Sequence, residues 1–405
     1  MQGSILFNGN IVFEVDFIRR FQDRICESNH EVPEVRASKK ALLICAAWGE
    51  REYTEPHIKA ALREAGIPSD FDGGYDRNIQ NLSAWHAWRT FMNRHPDIAE
   101  LYNDSLSTIE RVKQFYREKN AALIGLLRRH TAMVKARYPQ CTLADILGYN
   151  VSERQPELHN AQPKALHFHH CCHEIQGTLQ ALIDSDDRQA QICEEVHEYF
   201  FLRSNIYGQS DYRQTRQKLI DNILSSASIF LFGGSIQSLY YTLRFWRLDE
   251  ALRTALAMGA NFYGTSAGAM VLCEKIIVFD DFGEERGEGK REFEFFDHGL
   301  GLVRKIKLFP HCMERVKTDD PDNLCYLAHR FEGTTCVGLN EESFLSLETT
   351  EHDGRNYESF ISVGAGDGVY VFDPSGGKLR VDHGQHLRLP GTWAQMEARR
   401  EASRS

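Results

Sequence analysis

A single serine, Ser266, stands among very small residues in the segment 261–270, Asn-Phe-Tyr-Gly-Thr-Ser-Ala-Gly-Ala-Met. Residues 259–263 predict a short strand and the residues after the serine an apolar helix, so Ser266 falls at a strand-to-helix junction. A hydroxyl there projects above the sheet, and the helix N-terminus behind it supplies N–H groups and a positive dipole end. The spacing is typical of a nucleophile elbow, with Gly264 and Gly268 allowing the sharp turn. The alternative is a turn in which the serine only caps a helix.

A serine hydroxyl becomes nucleophilic only when a base accepts its proton and a third group orients that base. His311 is our candidate for the base, because it ends the mainly apolar stretch 306–311 and would project at the edge of a sheet. Glu341 is the favoured third residue, since it follows the predicted strand 336–339. The alternative for both side chains is an ordinary surface position.

An oxyanion hole needs two backbone N–H groups directed at the developing negative charge. Ala267, the residue after the serine, is the expected first donor. Gly234 is the expected second donor, because it follows the predicted strand 228–232 and a glycine there lets a substrate approach the backbone closely. An ordinary strand-to-helix turn at this position is compatible with that role.

Strand and helix patterns alternate near both ends of the chain. Residues 40–47, for example, are apolar after the first residue and predict a buried strand of the parallel type. Such alternation predicts an α/β fold with a parallel sheet covered on both faces. We assign residues 1–69 and 212–376 to one discontinuous α/β hydrolase core. A C-terminal extension, 377–405, follows, and we expect it to be partly disordered.

Residues 70–211, between the two halves of this core, carry almost no strand signal. Trp85 begins an apolar stripe at helical spacing, and residues 97–138 and 174–202 read as long helices. We expect a mainly helical inserted subdomain beside the mouth of the active site, because ligands of open α/β sheets bind at the carboxyl ends of the strands. The alternative is an insertion that extends to a partner subunit in a homodimer.

Composition restricts the partners of the chain. A net charge of −10 argues against general nucleic-acid binding, and no apolar run approaches the roughly 20 residues that cross a membrane. Ten scattered cysteines and an N-terminus without signal-peptide features favour a cytoplasmic protein. His169 and His173 would share a helix face, but no zinc motif accompanies them. We therefore expect neither a metal nor a cofactor.

Several motifs in order resemble peptidase family S51, which includes aspartyl dipeptidase (peptidase E) and cyanophycinase. They are the elbow, the strand and Gly-Gly turn 229–237, the Leu-Gly-Leu and Phe-Pro-His segments 300–302 and 309–311, and the Val-Gly-Leu-Asn-Glu segment 337–341. The chain start, residues 3–9, resembles the first strand and turn of cyanophycinase-like proteins. The resemblance covers about residues 1–66 and 212–375. It implies a three-layer, parallel-sheet core of the class I glutamine amidotransferase type.

The same resemblance implies roles for further residues. It supports His311 as the base, offers Asp281 as a second candidate for the acid, and places Gln237 and Arg315 in substrate binding. Arg315 could hold a carboxylate through two parallel hydrogen bonds. The Phe309–Pro310 pair before the histidine departs from the Asp-Gln of cyanophycinase and is closer to peptidase E.

Taken with the residues, the resemblance implies a serine hydrolase that cleaves a peptide or isopeptide bond near an acidic residue through an acyl-enzyme at Ser266. Two rivals stay open. One is a non-catalytic binding or sensing module whose helical insertion binds a partner, and the other is a small-molecule amidase on the same machinery. The presence of Ser266, His311 and Glu341 together favours the peptidase.

Overall fold

The computed structural model describes residues 3–9, 14–73, 75–151, 162–279, 293–340, 342–352, 355–364 and 368–389. The strands are β1 Ile5–Asn8, β2 Ala41–Ile44, β3 Phe71–Asp72, β4 Tyr75–Asp76, β5 Ile79–Asn81, β6 Ser228–Leu231, β7 Asn261–Thr265, β8 Lys275–Phe279, β9 Phe293–His298, β10 Ile306–Pro310, β11 Thr335–Leu339, β12 Ser343–His352, β13 Arg355–Gly364, β14 Val369–Phe372 and β15 Lys378–Val381.

The α-helices are α1 Glu14–Arg20, α2 Gln22–Cys26, α3 Pro33–Ser38, α4 Pro56–Glu64, α5 Ala84–Arg94, α6 Pro96–Arg137, α7 Leu143–Leu147, α8 Pro163–Arg203, α9 Ser210–Leu224, α10 Ile236–Phe245, α11 Asp249–Ala257, α12 Ala267–Leu272, α13 Cys312–Arg315 and α14 Pro321–Arg330. Short 3₁₀ helices span Ala46–Arg51 and Ile206–Gly208. Within the described ranges, no helix is both long enough and apolar enough to cross a membrane.

The central sheet has seven strands in the order β13-β12-β1-β7-β6-β2-β5. Five adjacent strands of this sheet, β1, β7, β6, β2 and β5, run parallel to one another. Strands β12 and β13 add an antiparallel pair at one edge. Every residue of β1, β2, β6 and β7 is buried, because helices cover both faces of the sheet. The expected mixed α/β fold with a mainly parallel sheet is therefore confirmed.

A second sheet, in the order β10-β11-β14-β15, carries the strand that ends before His311. Strands β10 and β11 are parallel to each other but do not extend the central sheet, where β12 already occupies the edge beside β1. Phe309 of β10 instead packs in its own apolar cluster with Phe331 and Phe372. The expectation of one parallel sheet is thus wrong for this part of the chain.

The long helices α6 and α8 form an antiparallel pair, which we call the helical pair. Tyr102 of α6 packs on Phe200 of α8, and Asn120 donates to Asp186. Near the other end of the pair, the hydroxyl of Tyr138, the residue after α6, donates to the Lys164 carbonyl. Helix α6 has 42 residues and is therefore about 63 Å long. It is one unbroken helix.

Two short strands lie outside the ranges that the sequence analysis assigned to the core. The region 70–211 contains β5, which pairs with β2 and completes the edge of the central sheet. With three residues, β5 is too short to produce a periodic signal in the sequence. At the other end, β15 pairs with β14, so ordered sheet continues past residue 376. The rest of the extension, 390–405, lies outside the described residues.

Candidate active site

Ser266 lies between the carboxyl end of β7, the middle strand of the central sheet, and the first turn of α12. Its backbone has φ 47° and ψ −112°, outside the regions that residues other than glycine ordinarily adopt. Such strain costs about 1–3 kcal/mol and is found mainly at functional sites. The side chain is only partly buried. The sharp turn expected of a nucleophile elbow is therefore present, and the serine itself makes it.

The glycines that flank the serine have a different role from the one expected. Neither Gly264 nor Gly268 has a positive φ, so neither makes the turn. A Cβ on Gly268 would lie 2.1 Å from the Leu231 carbonyl oxygen, and one on Gly264 would lie 2.9 Å from the Cα of Ala269. Both glycines are required because α12 packs directly on the backbones of β6 and β7.

The Gly-Gly turn after β6 lies against the serine. A Cβ on Gly233 would be 3.1 Å from the Cβ and 3.7 Å from the Oγ of Ser266. The turn is held by Trp48, whose Nε1 donates to the Gly233 carbonyl at 3.0 Å, and by Ala47, whose carbonyl accepts from the Ser235 N–H at 3.0 Å. Gly234 has φ 133° and is exposed. This geometry presents a fixed stretch of backbone beside the hydroxyl.

The expected oxyanion donors, Ala267 and Gly234, are the residues that follow Ser266 and Gly233. Ala267 is the first residue of α12, and the first N–H groups of a helix have no partner within the helix. Gly234 follows the residue that packs against the serine. Gln237 is exposed in the first turn of α10, just beyond the Gly-Gly turn.

His311 lies between β10 and α13 as the N-cap residue of α13, with φ 53° and ψ 41° in the left-handed region. Its imidazole is mostly buried, and Nδ1 lies 3.5 Å from a carboxylate oxygen of Glu314. The backbone N–H of Met313 donates to the Asn340 Oδ1 at 2.8 Å, which ties the loop after β10 to the loop after β11.

A chain of backbone contacts relates Ser266 to His311. The Ser266 N–H donates to the carbonyl of Asn8, the last residue of β1, at 2.9 Å. A Cβ on Gly9 would lie 2.4 Å from the Leu339 carbonyl oxygen, and Leu339 pairs with Pro310 in the parallel register. Helix α12 also packs against β10. Both side chains therefore follow carboxyl ends of strands at the junction of the two sheets.

The two candidates for the third member, Glu341 and Asp281, lie outside the described residues. Arg315 is described: its N–H donates to the His311 carbonyl at 3.0 Å, one helical turn away. Its side chain is half-buried and lines a cavity against α6.

Two buried asparagines at this junction had no role in the sequence prediction. Asn8 is 1% exposed, and neither its Oδ1 nor its Nδ2 has a hydrogen-bond partner. Asn340, 4% exposed, has an unpartnered Nδ2. Buried amides without partners are rare, and each costs about 1–3 kcal/mol. The signal was present as the Phe-Asn-Gly of the first strand and the Leu-Asn-Glu after β11, but one sequence does not reveal burial.

Four histidines lie close together in the first turns of α8: His167, His169, His170 and His173. His169 is buried and His173 exposed, and His167 lies against Cys171 and the Tyr138 hydroxyl. Across the described ranges, no three His, Cys, Asp or Glu side chains are grouped so that they could hold a metal ion.

Comparison with known proteins agrees with the sequence motifs. Residues 185–353 match the model of peptidase family S51, and this segment contains Ser266, His311 and the Gly-Gly turn. No curated protein matches the chain. A solved structure, described as the crystal structure of a peptidase from an acI-B1 Actinobacterium, is similar with 12% identity and a TM-score of 0.44, over 96% of this chain and 97% of that one. The match over residues 185–353 confirms the resemblance of this chain to peptidase family S51.

Proposed function

We propose that this chain is a serine peptidase that cleaves a peptide or isopeptide bond near an acidic residue. The observation that carries the proposal is the backbone of Ser266, which holds φ 47° and ψ −112° between the central strand and α12. A merely helix-capping serine adopts an extended backbone and bonds the first helical turn through its side chain. Ser266 has no such cap bond, so its hydroxyl is not used in that way.

In the proposed mechanism, His311 accepts the proton of Ser266 as Oγ attacks the scissile carbonyl carbon. The oxyanion of the tetrahedral intermediate is stabilised by the N–H groups of Ala267 and Gly234. His311 then donates its proton to the leaving amine as the C–N bond breaks, which leaves an ester on Ser266. Water, deprotonated by the same imidazole, hydrolyses the ester. Glu341, or alternatively Asp281, would orient the imidazole.

We place this chemistry on a core of the class I glutamine amidotransferase type, with the helical region between β5 and α9 as an insertion. Ion pairs join helix α8 of the helical pair to the ends of α10 and α14. Glu194 of α8 pairs with Arg244 of α10, and Glu198 pairs with Arg247, two residues beyond α10. Asp186 of α8 pairs with Arg330 of α14. Helix α10 follows the Gly-Gly turn and α14 follows His311. Arg315, one turn after His311, lines a cavity against α6, which supports a helical pair that borders the cleft and restricts it to short or extended peptides.

We also propose that the chain acts in a reducing compartment. Seven of the ten cysteines are buried within the described residues. Many buried thiols in one chain are typical of proteins that work in the cytoplasm.

A peptide-library cleavage screen tests the proposed activity and names its sequence preference. We expect cleavage next to aspartate or glutamate by the native chain. In the Ser266→Ala chain we expect a rate lower by about 10⁴-fold or more. A His311→Asn variant is the second control, because asparagine tolerates the left-handed backbone that this position requires. Turnover by a pure Ser266→Ala sample near the native rate would refute the mechanism.

A further inference from the structure

A cavity of about 370 Å³ lies between α6 and the segment that runs from α13 into α14. Small-molecule sites typically measure about 300–1,000 Å³, so this cavity is large enough for a ligand. Helices α6 and α7 contribute one wall, and residues 315–326 contribute the other. The second wall begins one helical turn after His311. The cavity is therefore built jointly by the catalytic half of the chain and by helices that the sequence motifs do not cover.

The charged side chains of the cavity lining are already engaged within the protein. Lys135 of α6 forms an ion pair with Asp322 of the opposite wall. Asp320 accepts the N–H groups of Asp322 and Asn323 at the start of α14. The other cationic side chains of the lining also have partners within the protein: Arg128, Arg315 and Lys317. A charged ligand would have to displace such partners, and leaving a charged group unpaired is costly, so the cavity favours an uncharged ligand.

A second part of the lining is apolar. It consists of side chains from α6, α7 and α14 that are at most 9% exposed: Ile124, Leu127, Leu143 and Tyr326. These residues belong to the same apolar cluster as Phe309, the residue two before His311. An apolar group that enters the cavity would leave water for this surface, which is the main favourable contribution to binding in such sites.

Thr131 of α6 adds one hydroxyl to this lining, and the hydroxyl is unusual for a helix. The hydroxyl of a helical threonine commonly donates to the carbonyl four residues earlier. Thr108 of α6 donates in this way to Asp104 at 2.8 Å, and Thr178 of α8 donates to Glu174 at 2.9 Å. Thr131 is 8% exposed, yet its Oγ1 has no hydrogen-bond partner within the described part of the chain. Because buried polar groups are rarely left unpaired, this hydroxyl indicates a partner that enters the cavity.

We propose that this cavity binds an uncharged, mainly apolar group that carries one hydroxyl. The apolar body lies against Leu127 and Leu143, and the hydroxyl pairs with that of Thr131. A hydroxyl both donates and accepts, so it matches Thr131 whichever way the threonine proton points. This chemistry has two sources, the side chain of a tyrosine in a bound peptide and a separate small molecule. The site is defined by the cavity alone and does not require the proposed peptidase function.

NMR titration of the full chain, labelled at isoleucine and leucine methyl groups, tests the binding and locates it. The probes are 4-methylphenol, toluene and 4-methylbenzoate, which share one ring and differ in the polar group. We expect 4-methylphenol to shift the methyl signals of Ile124, Leu127 and Leu143 with a Kd of about 1 mM. Toluene lacks the hydroxyl and 4-methylbenzoate is charged, so both should bind at least about threefold more weakly. No shift at about 10 mM 4-methylphenol, or equal binding of 4-methylbenzoate, would overturn the proposal.

Two threonines of α6 supply a matched pair of variants. Thr131→Val removes the hydroxyl in the cavity and keeps the shape of the side chain, whereas Thr108→Val removes an exposed hydroxyl of the same helix. We expect Thr131→Val to weaken the binding of 4-methylphenol about fivefold without weakening that of toluene, and Thr108→Val to change neither. An unchanged affinity of Thr131→Val for 4-methylphenol, or an equal loss for both probes, would contradict a hydrogen bond from Thr131 to the ligand.

Kinetics distinguishes the two sources of the ligand and separates the site from the proposed function. If a peptide side chain occupies the cavity, 4-methylphenol should raise KM for a tyrosine-containing peptide and leave kcat unchanged, and Thr131→Val should raise the same KM about fivefold. If a separate molecule occupies it, 4-methylphenol should bind without changing KM. A chain that binds 4-methylphenol as expected but hydrolyses no peptide contradicts the peptidase proposal alone. A chain that hydrolyses peptides but does not bind 4-methylphenol contradicts the site alone.

Discussion

At the scale of single residues, the strained backbone of Ser266 separates activity from stability. Glycine adopts a positive φ without the steric cost that a Cβ brings, so Ser266→Gly should relieve strain that Ser266→Ala retains. We expect both variants to be inactive and the glycine variant to be more stable by about 1 kcal/mol in its free energy of unfolding. Urea denaturation measures the difference. A glycine variant less stable than the alanine variant would show that the backbone here is not strained.

The tight packing of the elbow predicts a large effect of one methyl group. In Gly268→Ala the new Cβ would lie 2.1 Å from a backbone oxygen that cannot move aside easily. We expect a loss of about 3 kcal/mol or more, or no folded protein. Gly177→Ala is the matched control: nothing lies within 4 Å of its Cβ position, and it sits in α8.

For Gly177→Ala we expect a gain of up to about 1 kcal/mol, because alanine favours a helix. Thermal unfolding of Gly268→Ala, Gly177→Ala and the native chain measures both differences in stability. If Gly268→Ala were as stable as the native chain, the close contact between α12 and β6 would be absent.

The sequence was sufficient to place Ser266 on a sharp turn, because the turn depends on residues adjacent in the chain. It was not sufficient to show how the turn is made. Gly268 is needed for its contact with Leu231, and that contact depends on the pairing of β6 with β7. The burial of Asn8 depends on the strands on both sides of β1 and is likewise invisible in a single sequence.

At the scale of elements, a buried ion pair fastens the helical pair to the core. Arg330 of α14 donates to both carboxylate oxygens of Asp186 of α8 at 2.9 Å, and Asn120 of α6 donates to the same carboxylate. Arg330→Leu would leave a buried carboxylate without its cation. We expect it to cost about 3–5 kcal/mol in the free energy of unfolding.

Removing both charges should be less harmful than removing one. In the double variant Asp186→Leu with Arg330→Leu, no buried charge is left unpaired, and we expect much of the lost stability to return. Urea denaturation of the two single variants and the double variant gives the coupling. Strictly additive losses would contradict a tightly coupled pair.

His197 of α8 should make the packing of the helical pair against the core sensitive to acid. Burial, and then the nearby charges of Arg244, Lys113 and Arg247, lower the pKa of His197 from 6.5 to about 3. As the pH falls below about 6.5, the unfolded chain binds a proton at this residue and the folded chain does not. The folded state therefore loses stability as the pH falls from 6.5 towards 3.

A His197→Leu variant removes the imidazole that binds this proton in the unfolded chain. Its free energy of unfolding should therefore depend less on pH below about 6.5 than that of the native chain. Between pH 7.5 and about 5, we expect the native chain to lose more stability than the variant, by on the order of 2 kcal/mol. Urea denaturation at both pH values provides the comparison. Equal losses in the two proteins would mean that His197 does not titrate in this way.

Long elements were predictable and short ones were not. Helices α6 and α8 carry apolar residues at helical spacing over many turns, so the sequence indicates them clearly, although α8 begins earlier than expected, at Pro163. Strand β5 has three residues and no periodicity of its own. The separation of β10 and β11 into a second sheet depends on the antiparallel strand β12 beside β1, which is a long-range choice.

At the scale of the whole molecule, the chain combines an α/β core with a helical pair that contacts it at several points. The junction of the two sheets holds Ser266 and His311 at carboxyl ends of strands, which is where open α/β sheets bind ligands. The helical pair approaches the same region at Arg315, which lies one turn after His311 and lines a cavity against α6. Substrate choice would then be a property of both parts, and the chemistry a property of the core alone.

Labelling with a fluorophosphonate tests the central claim, a nucleophilic serine at position 266, most directly. This reagent forms a stable ester with an activated serine hydroxyl, and intact-mass and peptide mass spectrometry locate it. We predict one adduct per chain, on Ser266, in the native protein, and none in a Ser266→Ala sample whose circular dichroism matches the native chain. A native chain that stays unlabelled, or a Ser266→Ala chain that is labelled to the same extent, would contradict the account.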